Sequence, residues 1–262
     1  NSDQIRGGVQ AAFAYLLRAL SQIDDLELHI ITLQQPDWAG PDRIERDGVT
    51  IHLLPPFQRF ERLRGYRTYQ TALDARLAQI QPKVIHAQEA AADAYVALRS
   101  GYPTVITVHG IRNEDRKYSH SLNQRIRFYY DNRLTEMHVV SHGQYLIAIS
   151  HYVTEYFAAR LRPDLHCFFV PNAVDERFFE LDGNAPLPTV LFAGRVTPLK
   201  RVLDLILAFE QVAQKMPDAQ LRIAGECHTD PAYGRSIQEA VQRAGLENNI
   251  HLLGELKQDK ML

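Results

Sequence analysis

Short apolar runs alternate along the chain with stretches whose apolar residues recur every three or four positions. Val9, Ala12, Phe13, Leu16, Leu17 and Leu20 make the first helical stripe, entered through Gly7-Gly8. Segments 27–33, 49–55, 83–87, 103–110, 145–150 and 166–172 read as strands, and 66–80, 89–99, 118–134 and 151–161 as helices. The stretch "DGNAPLP" (182–188) has no apolar period and carries Gly and Pro, so it reads as a linker. Beyond it the alternation restarts, with strands at 189–193, 220–225 and 250–254 and helices at 199–214 and 233–244. Apolar strands separated by helices predict an α/β protein with parallel sheets covered on both faces. Two Rossmann-like domains are expected, 1–185 and 186–262. No internal repeat or low-complexity tract interrupts them.

Composition adds few constraints. Over 262 residues, 45% are hydrophobic and 23% charged, ordinary for a globular protein, and the net charge of −2 gives no overall bias toward nucleic acid. Cys167 and Cys227 cannot staple a fold of this size, which fits a reducing, cytoplasmic setting. No apolar run reaches the roughly 18–20 residues of a membrane helix, and the first residues lack a signal-peptide apolar core. The chain starts at a Gly-Gly turn with no strand before it and stops three strands into its second domain. The expectation is a fragment.

The joint "GRVTPLK" (194–200) concentrates candidate chemistry. Ligands of open parallel sheets sit beyond the carboxyl ends of the strands. Here such an end leads into a helix, whose amino terminus attracts anions. Arg195 adds a planar fork of donors and Lys200 a point charge, and together they suit a diphosphate. Alternatively both cations are solvated or pair with Asp204 or Glu210.

The stretch "VLFAGRVTPLKRVLDLILAF" resembles the donor-phosphate motif of retaining glycosyltransferases of family 4, which have the two-domain GT-B fold. "GGVQAAFAYLLRAL", "KVIHAQ", "VITVHG", "LIAISHYVTEYF", "FVPNAVDERFF", "LRIAGE" and "NNIHLLGEL" resemble further family segments in the family's order, over nearly the whole chain. The resemblance implies a first domain for the acceptor and a second for a nucleotide diphosphate sugar. It implies donor contacts from Gly8, Gly194, Arg195, Lys200, Glu226 and Leu256, and a catalytic set of His109, Arg195 and Lys200. Neither a cofactor nor a metal is expected. Two positions depart from the pattern: the Gly after the Lys is Arg201, and the Gly after Pro-Asn is Ala173. The family's Glu-x7-Glu segment, which holds the donor sugar and ribose, lies beyond Leu262, so this chain alone is expected to be inactive.

Each residue has a plainer reading. Gly7-Gly8 could be a simple turn rather than a close approach to phosphates. His109, at a strand's carboxyl end, could be structural rather than bonded to the donor sugar. Glu226 could be solvated. His86, His138, His142 and His151 read as structural. Arg112, Arg116, Lys117, Arg125, Arg127 and Arg133 interleave with Tyr118, Phe128, Tyr129 and Tyr130, while Arg59, Arg62, Arg64 and Arg67 form a second cluster. Both fit either a solvated face or contact with an anionic membrane or acceptor. The function expected is transfer of a sugar to a glycan or lipid-linked hydroxyl with retention. The alternatives are a sugar-nucleotide epimerase of the same fold or a nonenzymatic sugar-nucleotide or glycan-binding module. A dehydrogenase is disfavoured because no G-x-G-x-x-G follows a strand.

Overall fold

The structure, a computed structural model, describes residues 7–118, 122–180, 187–227, 230–256 and 260. The chain divides into two compact units, Tyr15–Ala173 and Val174–Leu262, the latter grouped with the start of the chain through Ala14. Residues 182–186 of the expected linker lie outside the described residues. Helix α1 (Gly8–Leu20) follows the predicted stripe and buries Ala12.

The first unit carries two sheets. In one, β1 (Leu28–Leu33) and β3 (Val49–Leu54) pair in parallel, with Leu28 opposite Val49 and Leu33 opposite Leu54. On the other side of β3 lies β2 (Arg43–Arg46), which runs antiparallel, so the expectation of purely parallel sheets is corrected here. The sequence of β2, Arg-Ile-Glu-Arg, has only Ile44 half-buried, as suits a charged edge strand. Against this sheet stands α2 (Arg67–Ile80), with Tyr69, Leu73 and Leu77 buried beside Leu54 and Tyr66.

The second sheet is wholly parallel, in the order β4 (Ile85–Gln88), β5 (Thr104–Val108), β6 (Tyr145–Ala148), β7 (His166–Phe169). Its inner strands supply Ile106, Val108, Leu146 and Ala148 to the core. Helix α3 (Ala92–Arg99) covers them with Ala94 and Ala97, α6 (Met137–His142) with Val139 and Val140, and α7 (His151–Phe157) with Val153 and Phe157. Each large side chain buried this way contributes about 1.5–3 kcal/mol relative to exposure. The predicted helix 118–134 is broken. The chain runs through α4 (Arg112–Asp115), a 3₁₀ turn, α5 (Leu122–Asp131) and a π-helical turn, Asn132–Glu136, into α6. The widened turn buries Thr135 and Glu136.

The second unit holds β8 (Thr189–Ala193), α8 (Val202–Lys215), β9 (Gln220–Ala224), α9 (Pro231–Ala244) and β10 (Ile250–Gly254). Its parallel sheet has the order β10-β9-β8. Leu221, Ile223 and Ile250 pack against Val202, Ile206 and Phe209 of α8 and Ile237 and Val241 of α9. All three strands point their carboxyl ends to the same edge, which carries the candidate donor residues.

Candidate functional site

At that edge each strand ends on a glycine: Gly194 after β8, Gly225 after β9 and Gly254 closing β10. Gly194 has φ 155° and Gly254 φ 68°, backbone that disfavours a Cβ. At Gly225 the reason is contact, because a Cβ there would lie 1.7 Å from the Gly194 carbonyl oxygen. The N–H of Gly194 donates to Ala224 at 2.9 Å and that of Gly225 to Gly254 at 2.8 Å. Val196 N–H donates to the Glu226 carbonyl at 2.9 Å, tying the loop after β8 to the loop after β9. The result is a floor of bare backbone. Its signal was present in the sequence as three strands ending Phe-Ala-Gly, Ile-Ala-Gly and Leu-Leu-Gly.

Beside the floor, residues Pro198–Lys200 make a 3₁₀ turn before α8. Arg195 and Lys200 are exposed, and among the described residues neither has an ion-pair partner. Asp204, the partner offered by the plainer reading, is held by Arg201, Nε to Oδ2 at 2.5 Å. The anion attraction expected of this helix start is not carried by free N–H groups at these positions. Lys200 N–H donates to Thr197, Arg201 N–H to Pro198, and the N–H groups of Asp204 and Leu205 both to Arg201. Leu203 N–H reaches the hydroxyl of Tyr233, on α9, at 3.2 Å. Charge at this joint therefore comes mainly from the two side chains. The departure at Arg201 also has a physical meaning. Its φ is 53°, a left-handed position that glycine takes without cost and that costs other residues about 1–2 kcal/mol. Glu226 and Leu256 follow β9 and β10 and are half-buried.

His109 belongs to the first unit. It follows β5, an inner strand of the four-stranded sheet, at the carboxyl edge. Its Nε2 meets Oε1 of Gln88, the last residue of β4, at 2.8 Å. The amide oxygen accepts, so Nε2 carries the hydrogen and Nδ1 keeps a lone pair. Gln88 Nε2 stands 3.2 Å from His86 Nε2, which is also 2.7 Å from the Thr107 hydroxyl. Nδ1 of His109 is buried without a hydrogen bond of normal geometry. Burial holds the imidazole below its ordinary pKa, with Asn172 nearby acting in the opposite sense. The loop beyond His109 is anchored from below. Fully buried Glu136 accepts from the Arg112 N–H at 2.6 Å, the Asn113 N–H at 3.3 Å and the Asn132 side chain at 2.5 Å. Desolvation raises the Glu136 pKa, against those hydrogen bonds. Neither Gln88 nor Glu136 had a sequence signal, since each acts through a partner distant in the chain.

Gly8 opens α1 after Gly7, whose φ is 108°, and a Cβ on either would meet nothing within 4 Å. Among the described residues no cluster of His, Cys, Asp or Glu could hold a metal ion, and both cysteines are free. No described helix is long and apolar enough to cross a membrane.

The fold has solved counterparts. Sucrose-phosphate synthase from Thermosynechococcus elongatus superposes with a TM-score of 0.68 at 19% identity, covering 97% of this chain and 67% of its own. A structure described as trehalose-6-phosphate from E. coli bound with UDP-2-fluoro glucose gives 0.61 at 10%, covering 98% and 72%. HepE of Anabaena in complex with UDP and glucose gives 0.51 at 18%, covering 80% of this chain and 57% of its own, so the chain spans little more than half of that relative. At these identities the likeness is one of fold, the GT-B type. No curated protein matches the chain. The model described as Glycosyl transferases group 1 matches residues 174–262. The model described as Glycosyltransferase Family 4 matches residues 6–178, more than half of the sequence, and the chain belongs to that family.

Proposed function

We propose that this chain supplies the donor-phosphate and sugar-facing residues of an enzyme that moves a sugar from a nucleoside diphosphate sugar to a hydroxyl acceptor with retention of configuration. The observation that carries the reading is the glycine floor flanked by two cations that no described carboxylate neutralises. A diphosphate fits this place, because it can approach bare backbone and receive charge-assisted hydrogen bonds from Arg195 and Lys200. UDP and UDP-2-fluoro glucose, named with HepE and the E. coli structure, belong to that ligand class. Retention and a glycan or lipid-linked acceptor are what the family resemblance supports.

In the reaction, negative charge builds on the departing diphosphate, and cations fixed beside it lower the barrier. His109 plays a different part. Its depressed pKa keeps the ring neutral at pH 7, and Gln88 occupies Nε2. Nδ1 keeps its lone pair but is buried with Asn172 beside the ring, so it accepts from a sugar hydroxyl only if the groups covering it move aside on binding. This is an orienting role and moves no proton. The direct test is calorimetric titration of UDP into the chain and into its Arg195→Ala and Lys200→Ala variants. A charge-assisted contact is worth about 1.5–3 kcal/mol, and exposure places these at the low end, so each change should weaken binding about tenfold. His109→Ala should leave UDP affinity within about twofold. Unchanged affinity in both cation variants would falsify the clamp.

A further inference from the structure

Four polar side chains stand in one row on the second sheet of the first unit. Along β4 and β5, Ile85, Ala87, Ile106 and Val108 face the core. Side chains alternate between the faces of a strand, so His86, Gln88 and Thr107 share the opposite face, and His109 continues their line. Gln88 lies directly opposite Thr107 in the register of the two strands. Parallel sheets normally fill such positions with apolar residues, and Thr107 is only 6% exposed. A polar row is stable in this place only when each member finds its partner.

Every contact in the row has a direction. The Gln88 amide oxygen faces His109 Nε2 at 2.8 Å, so that nitrogen carries a hydrogen. The amide nitrogen then faces His86 Nε2 at 3.2 Å. An amide nitrogen only donates, so His86 Nε2 offers its lone pair and the ring hydrogen sits on Nδ1. The Thr107 hydroxyl, 2.7 Å from the same nitrogen, donates to that lone pair as well. One amide thus holds two histidines in opposite tautomers. Turning the amide over would reverse both: His86 would donate from Nε2, and His109 would carry its hydrogen on Nδ1.

We propose that Gln88 is a positioning residue that fixes His109 as a hydrogen-bond acceptor at Nδ1, with His86 and Thr107 locking the amide in that sense. The proposal rests on the sugar-transfer reading. Once the groups covering Nδ1 move aside, a ring held this way takes a hydrogen from a sugar hydroxyl. With the amide reversed, the same atom would offer a hydrogen instead and would suit an oxygen that has none to give. His86, which touches neither sugar nor diphosphate in this account, acts at the site through Gln88.

The test is long-range nitrogen–proton NMR on the isotope-labelled whole chain at neutral pH and without ligand, which reads the protonated nitrogen of each imidazole. The expected result is His109 protonated at Nε2 and His86 at Nδ1. Gln88→Glu then separates positioning from space-filling. A carboxylate only accepts, so both histidines must donate to it. His86 should move its hydrogen from Nδ1 to Nε2 while His109 keeps Nε2. A side chain that merely filled the row would move neither. UDP affinity should stay within about twofold in this variant, since Arg195 and Lys200 are unchanged. The proposal is overturned if His86 carries its hydrogen on Nε2 in the unaltered chain, a result that needs no variant to fold. It is equally overturned if Gln88→Glu leaves the His86 tautomer as it was. Failure of the sugar-transfer reading shows elsewhere, as UDP affinity unmoved by Arg195→Ala and Lys200→Ala, so the two readings fail by different measurements.

Discussion

Replacing Gly225 by alanine places a methyl group 1.7 Å from the carbonyl oxygen of Gly194, half the 3.4 Å of ordinary contact, and 2.8 Å from its carbon. Both atoms are backbone, so no side chain can swing aside. The strands must part where the Gly194 N–H and the Gly225 N–H make bonds of 2.9 and 2.8 Å. Overpacking of this kind costs about 1–3 kcal/mol. Each backbone hydrogen bond lost costs about 0.5–1.5 kcal/mol more. The second unit should therefore lose about 2–6 kcal/mol, and the floor should lose its shape. Gly110→Ala is the control, since a Cβ there meets nothing within 4 Å. Urea denaturation followed by hydrogen-exchange mass spectrometry separates the effects. Protection of β8 and β9 should collapse in Gly225→Ala while β5 and β6 keep theirs. If the two variants unfold at the same urea concentration, the close approach at Gly225 is not what selects glycine, and the floor loses its physical basis.

Two further outcomes follow from the first unit. Glu136→Ala leaves three donors without their acceptor, at about 1–3 kcal/mol each, so the urea midpoint should fall sharply; Glu136→Gln keeps one acceptor and should lose less, and equal small losses in both would refute the anchoring role. Stability should also fall with acid: burial depresses the pKa of His52, His109 and His138 below 6.5, so as pH drops below 6.5 the unfolded chain takes up protons that the folded chain refuses, and urea midpoints constant between pH 7 and 5.5 would contradict this.

What the sequence disclosed and what it withheld divide along physical lines. Strands β1 and β3 through β10 are visible because each is a short, largely apolar run, including β7, whose four residues are all exposed. Strand β2 is invisible because Arg-Ile-Glu-Arg has one half-buried residue and takes its structure from pairing with β3. The break of the predicted 118–134 helix is withheld for a similar reason. A π turn there satisfies Glu136 with donors some two dozen residues earlier, and no local period records that. The cations Arg195 and Lys200 are legible because a short loop fixes them next to a strand end. Gln88 is not, since its value lies in facing His109 across a neighbouring strand.

Arg201 sharpens what the β8–α8 joint can do. A glycine there would take φ 53° freely, whereas Arg201 bears the strain and recovers part of it by binding Asp204. That pair has a consequence for the site. Asp204 sits in the first turn of α8, where an unpaired carboxylate would repel a diphosphate across the same few residues in which, on the proposed reading, Arg195 and Lys200 attract it. By holding Asp204, Arg201 removes a competitor for both cations. The N–H groups of Lys200, Arg201, Leu203, Asp204 and Leu205 are already spent on Thr197, Pro198, Tyr233 and Arg201. An anion arriving here therefore depends on side-chain charge to a degree that a helix start with free N–H groups does not, and its binding must weaken steeply with ionic strength, because exposed charges are screened where buried backbone donors are not.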